Sequence, residues 1–225
     1  MKCSLCIATV ADKADTLSRV LDSIFRQKPE FAFDVIVAHD TLPEVVDARA
    51  IHLIARCRGE YRNPSMARNL AMRRASGEVL ILQSDDVVHD GPDVIRDLVD
   101  PLKSGAAFHL ARVVNSRDQK EYVSRRRRKP YFFLGSVLRE DVFAIGGNCE
   151  EFTEPGCDDK WFADCLMYGR GLRPVFRENV SGTHIDHPRT DLRGPHRRMR
   201  ALYKRKRLEA QADPTKWIGG PAWEF

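Results

Sequence analysis

Over its first ninety residues the chain alternates two kinds of apolar pattern, and this alternation constrains the fold more than any other feature. CSLCIATV (3–10) is a continuous, partly β-branched apolar run. ADTLSRVLDSIFRQ follows, with Leu17, Val20, Leu21, Ile24 and Phe25 spaced along one helical face. FDVIVAHD (33–40) and IHLIAR (51–56) return to short strands. PSMARNLAMRRASG reads as a helix opened by Pro64, with Gly77 just past its end. EVLILQ (78–83) is then a central strand. Strands that are apolar throughout, separated by helices, predict a mostly parallel sheet with helices on both faces.

The second half is less regular. GPDVIRDLVDPL reads as a helix, and AAFHLARVV (106–114) and YFFLGSVL (131–138) as strands separated by a long basic loop. DDKWFADCLMYGRG (158–171) is a helix and RPVF a short strand. No internal repeat or low-complexity linker interrupts the pattern. The expected organisation is one α/β domain over 1–190, with a nucleotide-type front half (1–90) and an irregular second half (91–190). A basic C-terminal extension follows (191–225).

A length of 225 residues accommodates that arrangement. The chain is 43% hydrophobic and 31% charged, the balance of a soluble globular protein. Nothing approaches the roughly 20 apolar residues of a membrane span. The N-terminus, MKCSLCIATVADK, reads as a first strand rather than a signal peptide. The six cysteines include a single CxxC, Cys3 and Cys6, inside that strand. This argues for reduced thiols in a cytoplasmic protein rather than a zinc site.

Charge is unevenly placed. The formal net charge is only +5, yet SRRRRKP (124–130) and RGPHRRMRALYKRKR (193–207) are dense basic blocks. Such blocks are often plain solvated surface. The longer one favours an anionic partner: nucleic acid, an acidic glycan or an anionic membrane surface. Met199, Leu202, Tyr203 and Leu208 would give this helix a thin apolar side, as a peripheral membrane helix has. The final stretch, DPTKWIGGPAWEF, carries two tryptophans that anchor it, over the acceptor site or on a neighbouring subunit.

Open parallel sheets bind ligands beyond the carboxyl ends of their strands. Three expected strand ends are polar: Ala11-Asp12, His39-Asp40 and Ser84-Asp85-Asp86. Each acid taken singly is as well read as a helix cap or turn residue. Their repetition on one sheet edge favours a site. No glycine-rich phosphate loop is present, so bound phosphates would need a metal and basic side chains. Mg²⁺ and Mn²⁺ prefer carboxylate oxygens, as at Asp85 and Asp86. A second acidic cluster, EEFTEPGCDDKW, ends in Asp158 and Asp159, where a helix start would also attract acids. GTHIDHPR supplies His184 and His187, in a stretch whose glycine and proline argue for a loop. Trp161 and Phe162 read equally as an apolar ligand platform or as core.

These stretches together resemble the family-2-type glycosyltransferases. NPSMARNLAMRRASGEVLILQSDDV is similar to the pattern in which an Asn, an Ala-Arg-Asn, a Gly and an apolar strand lead into a DxD motif. GCDDKWFADCLMYGRG resembles the acidic motif that carries the catalytic base, and GTHIDHPR the late histidine motif of galactosyltransferase-type relatives. The resemblance runs from about residue 3 to 190. It implies a GT-A fold with a Rossmann-like central sheet. It also implies transfer of a sugar, usually with inversion, from a nucleoside diphosphate sugar such as a UDP-sugar. Asp159 would be the base, with Asp158 beside it. Asp85, Asp86 and His184 would hold Mn²⁺ or Mg²⁺. Thr9, Asp40, Asn63, Arg68 and Ser84 would form the donor pocket. Gln83 stands where the first acid of the DxD is expected.

The acceptor implied first is a glycan or lipid-linked saccharide. The alternative is DNA carrying a hydroxylated base. A non-enzymatic nucleic-acid-binding module would explain the basic blocks but not the acids at successive strand ends.

Overall fold

The computed structural model describes residues 2–10, 13–41, 43, 46–55, 63–104, 106–187 and 192–224. Asp12, Cys57 and the Pro-Arg that follows His187 lie outside the described residues.

The strands β1 (Cys3–Thr9), β2 (Phe33–His39), β3 (Ile51–Ile54) and β4 (Val79–Ser84) pair in parallel. β1 sits between β2 and β4. The helices α1 (Ala14–Phe25) and α2 (Pro64–Arg74) connect them. α1 buries Leu17, Val20, Leu21 and Ile24, the stripe expected from its periodicity. Each such side chain taken from water contributes about 1.5–3 kcal/mol before chain entropy is counted. α2 begins where Asn63 Oδ1 accepts the Met66 amide at 2.9 Å, with Pro64 in the first turn. Its end comes earlier than Gly77: a Cβ at Gly77 would lie 2.5 Å from the Cys3 carbonyl carbon, so this glycine lets two backbones approach.

The second half is mixed. β5 (Val87–His89) follows β4 after a two-residue turn and pairs antiparallel with β9 (Arg173–His184). The helix α3 (Val94–Val99) continues as a 3₁₀ turn. β6 (Ala107–Asn115), β7 (Glu121–Val123) and β8 (Leu134–Leu138) follow, and the sheet runs β3-β2-β1-β4-β8-β6-β9-β5 with β7 on β6. β9 is three times the length of the RPVF strand read from the sequence. It pairs in parallel with β6 through an irregularity after Ala111 and ends at His184. That histidine therefore closes a strand, and only His187 lies in the following coil.

The helices α4 (Arg139–Ala144) and α5 (Asp158–Asp164), a π-helical turn at Cys165–Gly169 and the long α6 (Arg193–Ala212) complete the chain. Trp161 and Phe162 are each 1% exposed, which settles them as core. The C-terminal stretch is fastened within the same chain. Trp217 stacks on Trp161 at 5.3 Å, Trp161 Nε1 donates to the Ile218 carbonyl at 3.1 Å, and the Gly219 amide donates to the Ile145 carbonyl at 2.7 Å. α6 turns Met199 and Tyr203 into the core, so only Leu208 of its expected lipid-facing side stays exposed. Among the described residues no helix is long and apolar enough to cross a membrane.

Candidate active site

Asp85 and Asp86 form the two-residue turn between β4 and β5. The turn points them in different directions. Thr9, at the end of β1, donates its hydroxyl to Asp85 Oδ2 at 2.8 Å. Asp86 instead meets the far end of the sheet, because β5 pairs with the last residues of β9. Val87 lies opposite His184, and the Ile185 amide donates to the Asp86 carbonyl at 2.7 Å. His184 Nε2 and His187 Nε2 consequently lie 3.4 and 3.1 Å from Asp86 Oδ2. Among the described residues these three side chains form a group able to share one metal ion.

The surroundings fit a cation. Asp86 Oδ1 and His184 Nδ1 are buried without a hydrogen-bond partner, which is costly unless something occupies them. Burial alone would push the Asp86 carboxyl up. The hydrogen bond and charge of His184, with Lys13 and His187, outweigh it and hold Asp86 below the usual carboxylate range. Lys13 Nζ, buried and without a hydrogen bond, lies 3.9 Å from Asp86 Oδ2. Tyr122 meets the His184 ring edge-on at 4.9 Å, fixing its plane.

Gln83, unexpected from the sequence, belongs to the scaffold. Its Nε2 donates to the Val87 carbonyl at 2.7 Å, bracing the chain across the Asp85-Asp86 turn. That fixes the amide's orientation, so Oε1 faces His89 Nε2 at 2.9 Å and His89 must donate. Burial pushes the His89 pKa down to about 3, keeping the ring neutral. A carboxylate at position 83 would lose the bond to Val87.

The second acidic pair lines the same cavity as the first. Asp158 and Asp159 open α5, and both carboxylates pair with Arg68 of α2: Asp158 Oδ2 at 3.0 Å, Asp159 Oδ1 in a shorter contact. Burial works against charge on Arg68, yet Asp159, Asp158 and the more distant Asp85 outweigh it and raise its pKa. Arg68, Ser84, Asp85, Asp86, Asp158 and Asp159 all line one cavity of about 550 Å³. Its walls include Tyr131, Phe133, His196 and Arg200, none singled out from the sequence.

The remaining expected donor residues lie around this cavity rather than in its lining. Asp40 follows β2, its amide bonded to the Thr9 carbonyl at 3.2 Å. Asn63 caps α2, and its Nδ2 donates to the Glu150 carbonyl at 3.2 Å. Asn69 extends the same clamp, exchanging bonds with the Asn148 backbone at 2.8 and 2.9 Å. The two asparagines of the NPSMARN stretch thus tie α2 to the segment leading toward α5. His187 was a weak candidate because local spacing could not show that Asp86, a hundred residues away, would meet it.

The sequence model for glycosyl transferase family 2 matches residues 4–151, about two thirds of the chain. The chain belongs to glycosyl transferase family 2. Solved structures share its fold. The S. aureus TarS fragment 1–349 in complex with UDP-GlcNAc superposes with a TM-score of 0.68 at 14% identity, covering 94% of this chain and 66% of that one. The mannosyltransferase PcManGT from Pyrobaculum calidifontis, in complex with GDP-Man and Mn²⁺, gives 0.60 at 19%, covering 95% and 67%. GalNAc-T7 with UDP, GalNAc and Mn²⁺ gives 0.65 at 17%, covering 95% and 52%. The chain spans only about three fifths of the TarS fragment solved with UDP. A search of curated proteins finds no match. The GT-A architecture read from the sequence is therefore the one observed.

Proposed function

We propose that this family-2 enzyme transfers a sugar from a nucleoside diphosphate sugar, with inversion, to a saccharide hydroxyl. One observation carries the reading: Asp86, of a metal-type cluster, and the base-type carboxylate pair Asp158-Asp159 line the same cavity.

The donor would lie along the carboxyl edge of β1, β2 and β4. Asp40 would face the base or ribose, and Thr9 and Ser84 would flank the diphosphate beside Asp85. Asn63 would act through α2, as a positioning residue. Asp86, His184 and His187 would hold the metal, with Asp85 adjoining it. One carboxylate and two imidazoles suit Mn²⁺ better than Mg²⁺. When bound, the ion would offset charge on the leaving diphosphate. Lys13 adds a fixed positive charge at that end.

The acceptor hydroxyl would enter from the Asp159 side. Its oxygen forms the new bond to the anomeric carbon as the bond to the diphosphate breaks. Its proton passes to the Asp159 carboxylate. Arg68 holds that carboxylate in place and keeps Asp158 from repelling it. Neighbours of the same fold are solved with UDP, UDP-GlcNAc or GDP-Man, which supports a nucleotide-sugar donor without naming the sugar.

A thermal-shift screen of nucleotide sugars with Mn²⁺ tests this reading. A selective rise in Tm for one donor, absent after EDTA treatment, is expected. Equal Tm values with every donor would overturn it.

A further inference from the structure

The geometry points to an anionic acceptor: a groove beside Asp159, lined by Lys129, Lys160, Arg200, Lys204 and Arg207, binds a short saccharide or polyol chain bearing phosphate or carboxylate groups. The word acceptor rests on the transferase reading; the preference for anions does not.

The groove has a volume of about 870 Å³ and shares Tyr131, Cys157, Lys160 and Arg200 with the cavity that holds Asp159. A chain lying in it would reach the candidate base directly.

α6 divides its cations between two faces. On one, Arg198 pairs with Glu154 at 2.6 Å, Arg205 with Glu151 at 3.8 Å, and Lys206 also with Glu151. On the other, Arg200, Lys204 and Arg207 fall at i, i+4 and i+7, a single stripe along the groove. Among the described residues none of these three makes an ion pair, and neither do Lys129 and Lys160. Lys160 Nζ rests 4.3 Å above the Tyr203 ring. The nearest acids are already engaged: Asp164 is buried and accepts from the Tyr203 hydroxyl at 2.7 Å, and Asp159 is held by Arg68. Five like charges concentrated in one concavity attract an anion and gain nothing from a neutral glycan.

The groove is less suited to nucleic acid. Single strands bind on exposed aromatic faces, about one per base. Here Tyr203 is 4% exposed and covered by Lys160, and Tyr131 is half-buried against Phe133. The volume matches the roughly 300–1,000 Å³ of small-molecule sites rather than a duplex track. A lipid surface would need the apolar side of α6, of which only Leu208 is left exposed.

The test is binding of labelled oligomers to the full chain by fluorescence anisotropy. The probes are oligogalacturonate, oligo(glycerol phosphate), a neutral malto-oligosaccharide of the same length, single-stranded and duplex DNA, and phosphatidylserine vesicles. One of the two anionic oligomers is expected to bind at least about tenfold tighter than the neutral one, and to weaken steeply between about 50 and 200 mM salt. Which of the two prevails distinguishes carboxylate from phosphate. Lys204→Glu with Arg207→Glu is expected to erase the preference, while Arg205→Gln on the opposite stripe leaves affinity within about twofold. Equal binding of neutral and anionic oligomers would overturn the proposal. So would tighter binding of DNA or vesicles, or an equal loss in Arg205→Gln. Donor binding by the unmodified chain is scored separately; its failure would remove the transferase reading and leave the anion result standing.

Discussion

Asp85-Asp86 turns the chain from β4 into β5 and Asp158-Asp159 opens a helix, yet both pairs line one cavity, and their neighbours separate their chemistry. Asp86 has two imidazoles at 3.1–3.4 Å and a buried oxygen without a partner. Asp158 and Asp159 have one guanidinium between them, which keeps both in position without a metal. The first arrangement suits a cation that comes and goes with its ligand. The second suits a carboxylate that must stay in place while it takes a proton. Adjacent aspartates thus acquire different roles from their partners, not from their spacing.

The largest effect that would sharpen this contrast is on turnover. Asp159→Asn removes the proposed proton acceptor, so kcat should fall by about 10²–10⁴. Donor binding followed by thermal shift should stay near that of the unmodified enzyme. Retained turnover in a purified variant would break the assignment. Arg68→Ala leaves two neighbouring carboxylates without their shared cation in a largely buried setting. A loss of about 2 kcal/mol, read as a lower denaturant midpoint, is expected. Unchanged stability would mean that the guanidinium bridge contributes little.

The smallest effect concerns Gln83, beside the Asp85-Asp86 turn. Gln83→Glu replaces the donor to the Val87 carbonyl with an acceptor in a buried site. A loss of about 1–2 kcal/mol at neutral pH is expected. Burial would raise the new carboxyl's folded pKa above its unfolded value, so the folded state binds more protons and the penalty should shrink as pH falls toward about 4–5. A pH-independent loss would contradict that explanation.

Much of the fold was legible because the front half builds strands and helices from local apolar periodicity. β1, α1, β2 and β4 occupy nearly the residues expected. The site was only half legible. Asp85, Asp86, Asp158 and Asp159 stood out as paired acids at element ends, and Arg68 through its family pattern. What local pattern could not reveal was sheet closure. β5 is only three residues long, and β9 reads as polar over Arg177–Asn179, so the first was not read as a strand and the second only over its opening RPVF. Their pairing is what brings His184 and His187 to Asp86. The C-terminal stretch was correctly expected to be anchored, but its partner, Trp161, was legible only as an aromatic at a helix start.

Mn²⁺ binding followed by electron paramagnetic resonance, with and without UDP, tests the central claim most directly. One Mn²⁺ site is expected, tightened by UDP, and weakened at least about a hundredfold in Asp86→Asn and in His184→Ala. Unaltered Mn²⁺ affinity in both variants, or UDP binding equally tight without any divalent ion, would contradict it.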